Sequence, residues 1–462
     1  MQVEAGMKAV LDPGFVPAVL WNRAYRVCVE RSGVARDLDL ALVRPDGTCY
    51  RHQLRVLPDS NETRALTRMY LERMLKFLLW QKGGSRILVA GDAVYAELLA
   101  GIYRTAGERA FDVGMFGGRI FPGAFSVEHV AASALPDAQE SVSVLGGHLE
   151  GCRIGFDLGG SDRKCAAVVD GKVVFSEEIA WNPYFESDPQ YHLDGIRDSL
   201  RRAAAHLPRV DAIGGSAAGV YVNNEVRIAS LFRGVSTADF EKRVRRMFVD
   251  LRTEWGGIPF DVVNDGEVTA LAGAMSLKDG ALLGVSMGTS EAAGYCTPEG
   301  GITSWLNELA FAPVDYGRDA PCDEWSGDLG CGVQYFSQQA IGRYAVEAGF
   351  SFDADVGLAE RLVHVQDRMQ AEDPAARSIF ETVGTCFGYT LAHYAEFYVL
   401  RHVLMLGRVT SGVGGDIILE QARSVLRSSF PALAERIDIS MPDEKMKRHG
   451  QAVAAASLPR LG

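Results

Sequence analysis

Arg153-Ile-Gly-Phe-Asp157-Leu-Gly159-Gly160-Ser161-Asp-Arg-Lys164-Cys-Ala-Ala-Val-Val-Asp170-Gly171-Lys-Val-Val-Phe175 reads as apolar strands joined by a glycine turn that carries a carboxylate. Without a Cβ at Gly159 and Gly160, the backbone can turn through positive φ and bring its N–H groups close to an anion, while Asp157 can hold a magnesium ion through water. An ordinary hairpin bent at Gly-Gly fits the same residues. Residues further along the chain separate the two readings.

About 130 residues later the apolar run Ala281-Leu-Leu-Gly-Val-Ser-Met287 ends in Gly288-Thr289-Ser290-Glu291-Ala-Ala-Gly294, a second strand turning at a glycine. Between the two turns, Ile258-Pro-Phe-Asp-Val-Val263 leads into Asn264-Asp265-Gly266 and then a helix-forming stretch from Glu267 to Met275. Asn264 and Asp265 therefore stand at a strand end, before a helix. A carboxylate there can act as general base toward a hydroxyl that attacks a phosphoryl group. The pair can equally cap the helix that starts at Gly266.

The order of these pieces, from Asp157 to Gly415, resembles the sugar kinases of the actin, hexokinase and heat-shock chaperone superfamily, and within it the ROK family. Ile154 to Asp170 looks like that family's first phosphate motif, and Val210-Asp-Ala-Ile-Gly214-Gly-Ser-Ala-Ala-Gly219-Val its next strand and glycine turn. Asn264-Asp265 is similar to its substrate-binding Asn and catalytic Asp, and Gly288-Thr289 to the start of its second phosphate motif. Asn307-Glu308-Leu309-Ala310-Phe311 resembles its Gly-Glu-Leu-Gly-His segment, and Leu404-Met-Leu-Gly407-Arg-Val-Thr-Ser-Gly412-Val-Gly414-Gly415 its adenosine-binding strand, turn and helix. The resemblance implies a ribonuclease-H-like (actin-like ATPase) two-lobed α/β kinase fold, with a first lobe over residues 150–275 and a second over 276–462. It further implies ATP-dependent phosphorylation of a sugar or related polyol, with Mg2+. Asp265 would be the base, with Asn264 and Glu308 orienting the acceptor. Asp157, which would also hold the magnesium through water, and Gly159, Gly160 and Ser161 would meet the β-phosphate. Gly288 and Thr289 would meet the γ-phosphate, and Gly407, Gly412, Gly414 and Gly415 would cradle adenosine.

Departures from the family pattern fall on its defining residues. Its zinc-binding His sits where this chain has Phe311, and its Cys-x-Cys-Gly-x-x-Gly-Cys run aligns with Glu324-Trp-Ser-Gly-Asp-Leu-Gly330-Cys331, so one ligand of four survives. A tetrahedral zinc needs its full His and Cys set, so no zinc is expected. Cys322 and Cys331 are read as isolated thiols. The same His also touches the sugar, as does a Glu whose place is taken by Val333. These losses alter acceptor specificity, because a site built to pair a hydroxyl discriminates through the groups it leaves unpaired. Glu291 brings a negative charge to the second phosphate turn, where it either faces away or helps hold magnesium.

With 462 residues, 47% of them hydrophobic, the chain can build two or three domains with cores of their own. A net charge of -12 argues against nucleic acid as a partner. The basic run Lys242-Arg243-Val-Arg245-Arg246 reads as the solvated face of an amphipathic helix. Eight scattered cysteines without a CxxC pair, no leading secretory signal and no apolar stretch long enough to span a membrane read as a cytoplasmic protein. A homodimer is implied by resemblance only.

Residues 1–145 precede the recognised region. Tyr25–Val29, Asp39–Val43 and Tyr50–Leu57 read as strands, the last two joined at Pro45-Asp46-Gly47. A helix over Thr63–Gln81, a strand over Arg86–Ala90 and a helix over Asp92–Tyr103 come next, with Ala132–Val142 as linker. This is an additional α/β domain, or a degenerate copy of one half of the kinase fold. It is longer than the winged helix-turn-helix of ROK repressors, strand-rich and not basic. The competing reading of the whole chain is a non-catalytic sugar- or nucleotide-sensing protein that retains the kinase fold.

Overall fold

The glycine turn at 159–161 joins strands of a five-stranded sheet whose order fixes the fold. The computed structural model describes residues 1, 3–139, 146–442 and 450–461. In the first lobe, β5 (Cys152–Leu158), β6 (Asp162–Val169) and β7 (Lys172–Ala180) form an antiparallel meander, and α5 (Pro189–Ala204) crosses to β8 (Ala212–Ala217). The hairpin of β9 (Val220–Val222) and β10 (Glu225–Ile228), then α6 (Thr237–Asp239) and α7 (Met247–Glu254), lead to β11 (Phe260–Asn264), which ends in α8 (Asp265–Leu277). The sheet order β7-β6-β5-β8-β11, with β5, β8 and β11 parallel and β6 reversed, is the ribonuclease-H-like arrangement.

The second lobe repeats the theme without a third strand. β12 (Leu282–Met287) and β13 (Glu291–Cys296) are antiparallel, and β14 (His402–Leu406) and β15 (Asp438–Ser440) run parallel to β12, in the order β13-β12-β14-β15. Helices α9 (Gln338–Glu347), α10 (Leu358–Gln370), α11 (Pro374–Tyr394), α12 (Val413–Ser429) and α13 (Pro431–Ala434) flank it, and α14 (Gln451–Ala456) is the last helix among the described residues. α8 packs on β12 and β13 while α14 returns to β5, β6 and β8, so each lobe lends a helix to the other. Gly155 and Gly214 make the return possible. A Cβ on either would overlap the carbonyl of Ala452 or Ala455, so only glycine lets the α14 backbone rest on these strands.

The N-terminal region holds α1 (Ala18–Ser32), β1 (Arg36–Val43), β2 (Cys49–Val56), α2 (Arg64–Lys82), β3 (Arg86–Ala90), α3 (Ala93–Ile102), α4 (Ala110–Gly114) and β4 (Ser126–His129). Its sheet runs β2-β1-β3-β4, with β1 antiparallel to both neighbours and β3 parallel to β4. That is the order and direction the first-lobe sheet would show with β5 removed. The expected strand over Tyr25–Val29 is instead the middle of α1. Val19, Asn22, Tyr25 and Val29 recur at helical spacing and are all buried, and Tyr25 stacks on Tyr70 of α2 at 4.3 Å between ring centroids. The β-prone run Tyr-Arg-Val-Cys-Val hid this period, and tertiary packing overrides that propensity. In the expected linker, Ala132–Ala134 make a 3-10 turn and Gln139 pairs with Cys49 through two backbone hydrogen bonds of 2.9 Å, while residues 140–142 lie outside the described residues.

One apolar core runs from Trp21, Tyr25, Phe77 and Trp80 into Leu283, Tyr335, Phe387 and Val403, joining the N-terminal region to the second lobe, whereas Ile154, Phe156, Ile213 and Phe248 belong to a separate first-lobe core. A buried ion cluster crosses the same interface. Lys76 of α2 lies 3.0 Å from Asp112 and 3.3 Å from Asp328, Arg73 lies 3.0 Å from Asp328, and Arg109 reaches both Glu72 at 2.6 Å and Asp328. Three cations face three carboxylates, and Asp328 alone comes from the second lobe. Burial disfavours its charge, but Lys76, Arg73 and Arg109 outweigh this and hold its carboxyl well below the usual range. Removing one partner of such a cluster leaves an uncompensated charge. Asp328→Ala should therefore lower unfolding free energy by about 3–5 kcal/mol in a denaturant titration, and a loss below about 1 kcal/mol would show the cluster to be solvated.

Candidate active site

The strand-to-helix junction at β11 and α8 carries the central residues. Asn264 caps α8, its Oδ1 accepting from the Gly266 N–H at 2.7 Å, which is the capping role foreseen from sequence. Its amide nitrogen is left to donate to the Gly219 carbonyl at 2.7 Å, and it stands 3.5 Å from Glu308 Oε1. Asp265 opens the helix, its Oδ1 accepting from Gly266 N–H at 3.0 Å. Glu308, 44 positions from Asn264 in sequence, thus meets the adjacent Asn264 and Asp265 at one place, and Asp265 and Glu308 keep partial exposure there.

Glu308 is held by the N-terminal region. The last carbonyls of a helix lack partners within it, and here the Trp80 carbonyl accepts from Glu308 N–H and the Gln81 carbonyl from Asn307 N–H, both at 3.0 Å. Asn307 adopts left-handed φ of 49°, a conformation Asn tolerates better than most residues. Its side chain donates to Glu267 of α8 and accepts from the Tyr398 hydroxyl at 2.7 Å. Three segments of the fold converge on this one residue. Sequence reading passed over Asn307, Glu267, Tyr398 and the nearby Tyr221; the one available signal was an Asn standing where the resembled motif has a glycine.

The carboxylates act on each other. Burial and then the neighbouring Asp157 push the Asp265 carboxyl up to about 6. Burial and then Asp265 push Glu308 up to about 7, and burial with Glu308 pushes Glu291 up to about 8. Asp157, 8% exposed at the end of β5, is itself raised by burial. A cation between Asp157 and Asp265 would relieve their repulsion, so this donor pair suits a divalent metal. Lys164, opposite Asp157 in the β5–β6 register, lies 3.5 Å from Asp162.

The first turn is exposed at Ser161, whose hydroxyl donates to Asp162 at 2.9 Å. At the second, Thr289 and Ser290 are exposed and Gly288 N–H donates to the Ser290 carbonyl at 3.0 Å. Glu291 turns the other way. It is 3% exposed, neither oxygen has a hydrogen-bond partner, and Oε2 lies against Gly332. A cavity of about 590 Å³ is lined by Gly407, Arg408, Thr410, Ser411, Gly412 and Asp416, with Thr269, Met441 and Gln451 across from them. Gly414 and Gly415 do not line it; they let α12 pack against Phe380 and the Thr410 carbonyl.

The segment where zinc was discounted is built differently. Phe311 packs on Trp80 at 4.4 Å, Phe111 at 5.6 Å and Trp325 at 6.0 Å between centroids. Burial pushes the Cys331 thiol up to about 12, so it stays protonated, and Cys322 is exposed. A ring without a lone pair and a protonated thiol make a poor donor set for zinc. Elemental analysis of the purified chain should find under about 0.1 zinc per chain, against the full complement of a tetrahedral site; one tightly held zinc would refute this.

Glu291 gives a stability test. Its pKa is raised above the unfolded value, so the folded state binds the extra proton and stability contributed by this group falls as pH rises from about 4.5 to about 8. Glu291→Gln removes the titration with little change of shape. Its melting point should exceed that of the parent by an increment that grows between pH 5 and pH 8; an increment constant with pH would contradict the burial argument.

No protein-family model matches the chain, and no curated protein matches it. Solved structures do. A ROK family glucokinase from Streptomyces griseus, in complex with glucose and AMPPNP, is matched with a TM-score of 0.51 at 20% identity, over 68% of this chain and 100% of that one. ROK hexokinase from Thermus thermophilus gives 0.52 at 18%, over 67% and 97%. A ROK family transcriptional regulator, a homologue of the E. coli MLC protein, gives 0.50 at 17%, over 79% and 86%. The shared property is the fold: two actin-like ATPase lobes, to which this chain adds a further region.

Proposed function

We propose, on the premise of a fold shared with ROK kinases, that this chain transfers the terminal phosphoryl group of ATP to a hydroxyl of a sugar or related polyol. The observation that carries the reading is the carboxylate of Asp265, fixed at the first turn of α8 beside Asn264 and Glu308 and facing Asp157. With its pKa raised to about 6, Asp265 is ionised at neutral pH yet basic enough to take a hydroxyl proton as that oxygen attacks. Asn264 and Glu308 would orient the acceptor through hydrogen bonds. Gly159, Gly160 and Ser161 would receive the β-phosphate, Gly288 and Thr289 the γ-phosphate, and the cavity beside Gly407 and Gly412 the adenosine. A magnesium ion held near Asp157 would neutralise phosphate charge. Asp265 sits at the root of a helix that belongs to the second-lobe core while its strand belongs to the first, so closure of the lobes would bring base and phosphate turns together and shut out water.

A second reading has its own support. The positions that would pair sugar hydroxyls hold Phe311 and Val333, and Phe311 is walled in by aromatic rings. A sensing protein that binds a sugar or nucleotide without turnover is compatible with that apolar wall, and a ROK transcriptional regulator is among the similar folds. An acceptor with fewer hydroxyls than glucose on that side satisfies both observations.

ADP release with magnesium and ATP, measured over hexoses, amino sugars, deoxysugars and polyols, decides between them. Under the kinase reading one acceptor class turns over, Asp265→Asn lowers kcat by about 10²–10⁴-fold, and kcat falls as pH drops through about 6 as Asp265 takes its proton. Background hydrolysis alone, equal in parent and variant, would leave the sensing reading.

A further inference from the structure

The segment after β7 lies directly on the first phosphate turn. Trp181 donates its ring N–H to the Gly159 carbonyl at 2.8 Å and its backbone N–H to the Ser161 carbonyl at 3.1 Å. Three residues on, Tyr184 touches the turn itself, since a Cβ on Gly160 would overlap its hydroxyl. Above Tyr184 stands Arg233. Its guanidinium carbon is 4.1 Å from the Tyr184 ring centroid and 5.0 Å from that of Phe185, contributed by a loop about 50 residues away.

The two loops are joined by construction. His192 of α5, wholly buried, places Nε2 at 3.0 Å from both the Pro183 and the Leu231 carbonyl, and Gly234 approaches Glu186 so closely that a Cβ would meet its carbonyl oxygen at 2.7 Å. Arg233 itself is exposed, and among the described residues no carboxylate lies within ion-pairing distance of it. Aromatic rings take the flat face of a guanidinium and leave its N–H edge free for a planar or tetrahedral oxyanion. In a chain of net charge -12, a cation held by two rings at the turn that follows Asp157 keeps its N–H edge available to an anion.

We infer that Arg233, held by Tyr184 and Phe185 over the Gly159-Gly160-Ser161 turn, is a recognition residue for a terminal phosphate group. The phosphate can come from the nucleotide, as the γ-phosphate, or from the phosphorylated acceptor. The nature of the anion rests on the phosphoryl-transfer reading above; the presence of an anion site does not.

Titration calorimetry on the full chain with magnesium separates the cases, using AMPPNP, ADP and glucose 6-phosphate as probes, with Arg233→Met to keep the apolar stem and Arg233→Lys to keep charge without the fork. Loss of a charge-assisted pair should weaken the phosphate-bearing ligand by roughly 10- to 100-fold. AMPPNP weakened with ADP unchanged places the γ-phosphate at Arg233, and glucose 6-phosphate weakened with AMPPNP unchanged places the acceptor's phosphate there; AMPPNP and ADP weakened alike would place the β-phosphate there and overturn the assignment to the γ-phosphate or the acceptor. In either of the first two cases Arg233→Lys should recover part of the loss. Equal affinities in parent and Arg233→Met for all three probes, or no binding of any by the parent, would overturn the inference. A chain that binds AMPPNP through Arg233 yet transfers nothing defeats the kinase reading alone, and one that turns over regardless of Arg233→Met defeats this inference alone.

Discussion

Two backbone hydrogen bonds, from Asn307 and Glu308 to the terminal carbonyls of α2, decide how the rest of the molecule is arranged. A helix end must place its free carbonyls somewhere, and water is the usual partner. Here the partner is the loop that carries an acceptor-orienting candidate. The N-terminal region is for that reason a wall of the site, and the continuous core and the Asp328 cluster arise from the same need to keep α2 seated against the second lobe. Trp80 shows the economy of the arrangement. Its carbonyl holds Glu308, its indole donates to Asp112 inside the ion cluster at 2.7 Å, and its ring covers Phe311.

The ion cluster also anchors the segment that carries Asp328. Residues 311–331 form turns with little regular structure, and such a stretch needs an anchor of some kind. Asp328 supplies one. Arg73 donates to both of its oxygens, at 3.0 and 3.1 Å, and to the neighbouring Leu329 carbonyl at 3.1 Å. The cations that hold it, Lys76, Arg73 and Arg109, all come from the N-terminal region, which therefore anchors this segment as well as Glu308.

Much of this was legible in the sequence where the signal was local. The Gly159-Gly160 hairpin, the Asn264-Asp265 junction at a strand end and the turns at Gly288 and Gly407 are each set by residues within a few positions of one another, and the structure ends a strand at all four, in a turn at three of them and in α8 at Asp265. Helix α2 was legible for the same reason, its apolar residues recurring at helical spacing. Tyr25–Val29 was not, because a five-residue window rich in β-branched and aromatic residues cannot distinguish a strand from one face of a helix. Nor was the role of Asn307, Asp328 or Arg233, whose partners lie 40 to 255 positions away. Gly414 and Gly415 were expected, from the resemblance, to cradle adenosine together with Gly407 and Gly412; a glycine that admits a ligand and one that admits a neighbouring ring or carbonyl, as Phe380 and Thr410 are here, have the same sequence signature.

The placement of charge argues for chemistry over mere binding. Burial raises the pKa values of Asp157, Asp265 and Glu308, with Asp157 adding to the rise at Asp265 and Asp265 to that at Glu308, and each raised pKa measures a cost to the folded state. Hydrophobic residues of like volume would fill the space without that cost. A sensor could recover some of it through hydrogen bonds from a ligand's hydroxyls, which requires Asn264 and Glu308 but gives no use for a second and third carboxylate facing each other. A phosphoryl transferase uses both. One carboxylate must stay ionised near a metal and the other must accept a proton near neutral pH, and burial, with Asp157 beside it, raises Asp265 toward that range. The strain in the cleft is what the proposed reaction requires.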